Sequence, residues 1–205
     1  LQTACGGRQF SYNYWEQICE ISNVCAIKCA SFNRYQTMEV VRATAMSSRS
    51  SDITLYTGND DNIVIDLLTK YRFEKNGQMI EKCFDGGLLG HWSVWTKRAA
   101  ELFLHIKQER NKTEISAELL TLAAEVTDSN SAFFDTAHNF KGCIAGLHEI
   151  LHRQGLMKNI YCLNPDETLS DGQLEEIDRV CKMYPHLNDD EFVRDNLQKW
   201  KNCIK

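Results

Sequence analysis

Lys28 is the one cation in the run Val24-Cys25-Ala26-Ile27-Lys28-Cys29-Ala30, and that setting gives it a chemistry. Burying an ammonium without a partner costs several kcal/mol, so an apolar site favours the neutral amine. A neutral amine attacks a ketone or aldehyde, and the protonated imine that results draws electrons from the adjacent carbon. Carbon–carbon bonds are made or broken this way without a metal. A structural role stands beside the catalytic one, because a lysine near a strand end also snorkels to solvent or pairs with a carboxylate.

Two glycine-bearing turns are the next candidates. Gly58-Asn59-Asp60-Asp61 closes an apolar run at a point where a glycine lets a ligand approach the backbone. Its side chains are equally suited to capping a helix. Gly86-Gly87-Leu88-Leu89-Gly90-His91-Trp92 closes another run and exposes main-chain groups in the same way. His91, beside a tryptophan, reads as a packed residue rather than an acid or base. His148 and His152 share a helix face at a zinc-compatible spacing but lack a third ligand nearby, so a solvated face is the better reading.

The elements that must position Lys28 alternate. An aromatic-rich helical pattern over 11–21 precedes the apolar strand 24–30, a helix over 35–47 follows, and a second strand covers 53–58. A helix over 63–70 then leads to a third strand over 79–84 that ends on Gly86-Gly87, and a helical tract over 88–107 breaks near Gly90. Strands separated by helices argue for parallel pairing, in a barrel or an open sheet. Beyond Glu114 the patterns are helical only: 115–126, 132–137, 141–154 ending at Gly155, a helix over 174–183 behind a Ser170/Gln173 capping box, and 189–199. The expected division is therefore an α/β region over 1–110, with the lysine strand at 24–30, and a helical C-terminal region over 111–205.

With 205 residues, 43% of them hydrophobic and 25% charged, and a net charge of −5, the chain has ordinary globular composition and no bias toward nucleic acid. No apolar stretch approaches the roughly 20 residues of a membrane span, and a cytoplasmic location is expected. The nine cysteines are odd in number, scattered and without a C-x-x-C pair, so reduced thiols are expected rather than disulfides or zinc. The chain opens at Leu1 without an initiator methionine and reads as part of something longer.

Three segments carry a family resemblance. Ala26-Ile27-Lys28-Cys29-Ala30-Ser31, Tyr56-Thr57-Gly58-Asn59-Asp60 and Gly87-Leu88-Leu89, in that order, resemble the lysine strand and the two later strand ends of the dihydrodipicolinate synthase and N-acetylneuraminate lyase superfamily, the Schiff-base class I aldolases. The run Gly142-Cys143-Ile144-Ala145-Gly146-Leu147 through Gly155-Leu156 resembles the helical tail of that family. The resemblance covers essentially the whole chain and corresponds to the C-terminal two-thirds of the family's length. It implies the C-terminal part of a (β/α)8 TIM barrel followed by a helical C-terminal segment. It further implies a lyase in which Lys28 forms an imine with pyruvate or another 2-keto acid, for aldol cleavage, condensation or dehydration. Gly58, Asn59 and Leu89 would bind substrate. No cofactor, no metal, no nucleic acid and no membrane partner are implied, and a homo-oligomer is compatible. The family's proton-relaying tyrosine falls, by register, immediately before Leu1, and Cys5 stands where the lysine-biosynthesis members carry an arginine. The alternative is a catalytically incomplete remnant of such a barrel that acts, if at all, through protein contacts.

Overall fold

Strand pairing in the computed structural model, which describes residues 6–88 and 90–203, follows chain order. Strands β1 (Ala26–Cys29), β2 (Thr54–Thr57) and β5 (Phe84–Gly87) form a parallel sheet in the order β1-β2-β5. Lys28 lies opposite Tyr56, and Tyr56 opposite Gly86. A bulge at Leu55/Tyr56 in the β2–β5 register passes over Asp85 and keeps the two glycines of β5 beside Tyr56 and Thr57. Parallel strands laid down in chain order through right-handed crossovers carry their helices on one face. Burial agrees: Ile27, Leu55 and Phe84 are buried, while Ala26, Lys28 and Thr54 are exposed.

The first two helices begin where the sequence supplies caps. Ser11 accepts the Tyr14 N–H at 3.3 Å ahead of α1 (Tyr12–Cys19). Asn33 accepts the N–H groups of Tyr35 and Gln36 ahead of α2 (Arg34–Met46). The short α3 (Ile63–Leu68) has no side-chain cap, and packs onto the sheet so that a Cβ at Gly87 would lie 3.1 Å from Ile63 Cδ1.

The third strand departs from expectation. Residues 79–84 do not form one parallel strand; β3 (Tyr71–Lys75) and β4 (Gln78–Lys82) form an antiparallel hairpin, and the parallel strand starts afresh at Phe84. The cause is Asn76-Gly77, whose φ values of 53° and 78° are those of the tight hairpin turn such a dipeptide favours. Two lysines tie the hairpin to the loop after α2: Lys75 Nζ donates to the Ser47 carbonyl at 3.0 Å, and Lys82 Nζ to the Ile53 carbonyl at 2.8 Å.

Two compact units divide the chain, Leu1–Leu89 with His105–Ala123, and Gly90–Leu104 with Ala124–Lys205. The first holds all the strands. The chain runs on through α4 (Thr96–Glu109), α5 (Glu118–Phe134), α6 (Cys143–Arg153), α7 (Gln173–Met183) and α8 (Asp190–Cys203). The second unit is built around Trp95, whose ring meets Phe133 edge-on at 4.9 Å, with Ile150, Ile177 and Val180 buried nearby in the sequence of helices.

α5 merges the two helices expected over 115–126 and 132–137, because its polar stretch is satisfied within the helical frame. Ser129 Oγ donates back to the Glu125 carbonyl at 2.9 Å, and Asp128 receives both terminal nitrogens of Arg179, at 2.7 and 2.9 Å. Of the expected capping box, only the Gln173 half forms: its Oε1 accepts the Ser170 N–H at 3.1 Å, while the Ser170 hydroxyl donates to Asp135 at 2.6 Å. Among the described residues, no helix is long and apolar enough to cross a membrane.

Gly77 has open space where a Cβ would stand, so a substitution there meets only backbone strain. Gly77→Ala should cost about 1–2 kcal/mol, read as a lower midpoint of chemical denaturation, with the largest loss of amide protection in 71–82.

Candidate functional site

β1 carries Lys28 to the sheet's open face. The strand was expected to be buried on both faces, but the side chain of Lys28 is exposed, because the helices cover only the Ile27/Cys29 side. Desolvation of the amine is therefore not supplied by the described residues. What the structure does supply is a neighbour: a Cβ at Gly58 would lie 2.6 Å from Lys28 Cε, 3.0 Å from Ala30 Cβ and 3.2 Å from the Cys29 carbonyl oxygen. Glycine at 58 leaves the Lys28 side chain room to lie across the end of β2.

Next to Lys28 in the same row stands Tyr56, which is half-buried. Its ring covers Gly86, where a Cβ would be 2.7 Å from Tyr56 Cε2. Its hydroxyl donates to the Gly87 carbonyl at 2.9 Å. The row Lys28–Tyr56–Gly86 thus brings a primary amine and a phenol side by side at the carboxyl ends of parallel strands. That is where ligands bind in parallel α/β sheets and barrels. On the far side of β1, Phe10 and Trp15 share a small recess with Lys28, Ala30, Ser31 and Gln36.

Behind this row sits a buried polar cluster centred on Asp66, which is 0% exposed. Five donors converge on its carboxylate: Arg34 Nη1, Thr57 Oγ1 at 2.7 Å, Asn59 Nδ2 at 3.0 Å, Tyr71 OH at 3.2 Å and Asn62 Nδ2 at 3.3 Å. A carboxylate buried to this degree is tolerable only with such a set of donors. Burial and the neighbouring Asp66 charge push the Tyr71 phenol well above its ordinary value. Asp66 was not singled out in the sequence, yet the signal was present: it is the one charge in the apolar run Ile63-Val64-Ile65-Asp66-Leu67-Leu68.

Asn59, expected to contact substrate, is buried and belongs to this cluster. Its Nδ2 donates to Asp66 and, at 3.2 Å, to Thr37 Oγ1; its Oδ1 accepts the Phe32 N–H at 3.0 Å. The polar atoms of its amide are thereby engaged by protein. Gly58 lies directly against Lys28, and Leu89 lies outside the described residues. His148 Nδ1 contacts the Ile160 carbonyl at 3.4 Å and His152 Nδ1 the Met157 carbonyl at 3.2 Å. Among the described residues, no group of three or more His, Cys, Asp or Glu side chains is placed to hold a metal ion. Cys19, Cys25, Cys29, Cys83, Cys162, Cys181 and Cys203 are free thiols, and burial pushes that of Cys29 up to about 12.

Compared with models of known protein families, with curated proteins and with solved structures, the chain matches none.

Asp60, 3% exposed at the end of β2, is pushed up to about 7, first by burial and then by the charge of Asp61. Its folded value lies above its unfolded one, so the native state holds this proton more tightly than the unfolded chain does. Stability from Asp60 is then full below pH 4 and is lost as pH rises toward 7. Asp60→Asn should stabilise the protein more at pH 8 than at pH 4.5, by a difference on the order of a few kcal/mol, in denaturant unfolding across that range.

Proposed function

We propose that this protein is a Schiff-base lyase of the dihydrodipicolinate synthase and N-acetylneuraminate lyase type, acting on pyruvate or a related 2-keto acid. In this reading β1, β2 and β5 are the last strands of a (β/α)8 barrel and the helices beyond them its C-terminal segment. The observation that carries the reading is the placement of Lys28. It stands on the open face of a parallel sheet laid down in chain order, at the carboxyl end, with Gly58 clearing the path of its side chain. Of the three segments that carry the resemblance, the first begins on β1, the second on β2, and the third at Gly87, the last residue of β5.

The chemistry follows from the amine. Lys28 Nζ adds to the keto carbon of the substrate, the carbinolamine loses water, and the iminium left behind accepts electrons from the neighbouring carbon. A bond to that carbon breaks or forms, and water then returns the keto product and the free amine. Tyr56, next to the amine in the sheet, borders the path of the substrate.

A second reading is favoured by one observation, the exposure of Lys28. Imine chemistry gains from a water-excluded site, and among the described residues nothing closes over the amine. A catalytically incomplete barrel remnant, acting through protein contacts at the open sheet face, has the same geometry.

Treatment with pyruvate and borohydride separates the two. The lyase reading predicts a reduced pyruvate adduct on Lys28 in peptide mass maps, abolished by Lys28→Ala. An unmodified Lys28 at saturating pyruvate favours the remnant.

A further inference from the structure

Phe32, at the exit of β1, holds a conformation that its own chemistry does not favour. Its φ is 49°, a left-handed geometry in which the Cβ crowds the following carbonyl and which a bulky side chain rarely adopts. A residue stays there only when its surroundings hold it. The holder is Asn59, whose Oδ1 accepts the Phe32 N–H at 3.0 Å. Asn59 is itself fixed, because Nδ2 donates to Asp66 Oδ2 at 3.0 Å and to Thr37 Oγ1 at 3.2 Å. A reversed amide would set its carbonyl oxygen against the Asp66 carboxylate. Both ends of this clamp adjoin the amine. Phe32 closes the segment that begins with Lys28, and Asn59 follows Gly58, over which the Lys28 stem lies.

We propose that Asn59 is a positioning residue for Lys28: by holding Phe32 left-handed it fixes the exit of β1 against Gly58, and so sets the direction from which the amine meets a carbonyl carbon. The role rests on the Schiff-base reading for its purpose. Asn59 does not touch the substrate; it acts through the backbone of the Lys28 segment.

The test is the rate of borohydride-trapped pyruvate labelling at Lys28 in the full chain. Asn59→Ala should lower the rate at saturating pyruvate about tenfold, leaving the half-saturating pyruvate concentration within about twofold. Glycine enters positive φ freely, so adding Phe32→Gly to Asn59→Ala should bring the rate back to within about twofold of wild type. That rescue is not expected of a merely structural asparagine. Gly77→Ala, remote in the hairpin, should lower stability while leaving the rate within about twofold, which separates positioning from general loosening. If Asn59→Ala does not fold, Thr37→Val removes one acceptor of the Asn59 amide and should slow labelling about threefold. A wild-type rate in Asn59→Ala, or in Thr37→Val where Asn59→Ala does not fold, or a slow Asn59→Ala that Phe32→Gly does not rescue, overturns the positioning role alone. A wild-type protein unlabelled at Lys28 overturns the Schiff-base reading and this role with it.

Discussion

The buried carboxylate of Asp66 is the constraint on which the rest of the first unit depends. A charge taken out of water must be met by donors, and here those donors come from nearly every element around the strand ends. Arg34 comes from the start of α2, Thr57 and Asn59 from the end of β2, Asn62 from the turn before α3, and Tyr71 from the hairpin. The cost of leaving any of them unmatched fixes the order in which these segments meet. Arg34 is 40% exposed on its side chain, so the ion pair itself is partly screened and contributes less than a fully buried one. The neutral donors hold the geometry.

From that cluster the candidate site follows. Asp66 fixes Asn59, Asn59 holds the Phe32 turn, and the turn closes the strand that bears Lys28. On the open face the limits are steric rather than polar: Gly58 leaves room for the lysine stem, and Gly86 leaves room for the Tyr56 ring. The sheet is thus held from behind by the polar network around Asp66 and shaped in front by glycines.

Much of this was legible in the residues. The caps Ser11 and Asn33 mark the true starts of α1 and α2, and the apolar runs around Lys28 and Leu55 are strands in the order and direction that their spacing implies. The hairpin escapes a reading of the run Met79 to Phe84, apolar at both ends, as one strand when the Asn76-Gly77 signal before it is passed over. Burial of Lys28 was misjudged for a different reason. A run of small and apolar residues says that a strand can be covered on both faces, but not that the second face is covered. Asn59 as a substrate contact rests on the family resemblance alone, since the residues themselves read equally as a helix-capping turn. Its actual partners, Phe32, Thr37 and Asp66, are far apart in sequence and meet only in the fold. Asp66 could have been found as the lone charge in an apolar helix, which calls for buried partners. The left-handed Phe32 could not, since no local pattern asks a phenylalanine to adopt it.

The central claim is that the open row of Lys28, Tyr56 and Gly86 receives a keto acid as an imine. A crystal structure of the protein reduced with borohydride in the presence of pyruvate tests it most directly. The account predicts a covalent link from Lys28 Nζ to a carboxylate-bearing carbon lying over Gly58 and beside Tyr56. An adduct on another lysine, or one on Lys28 that turns away from the row into solvent, would contradict it.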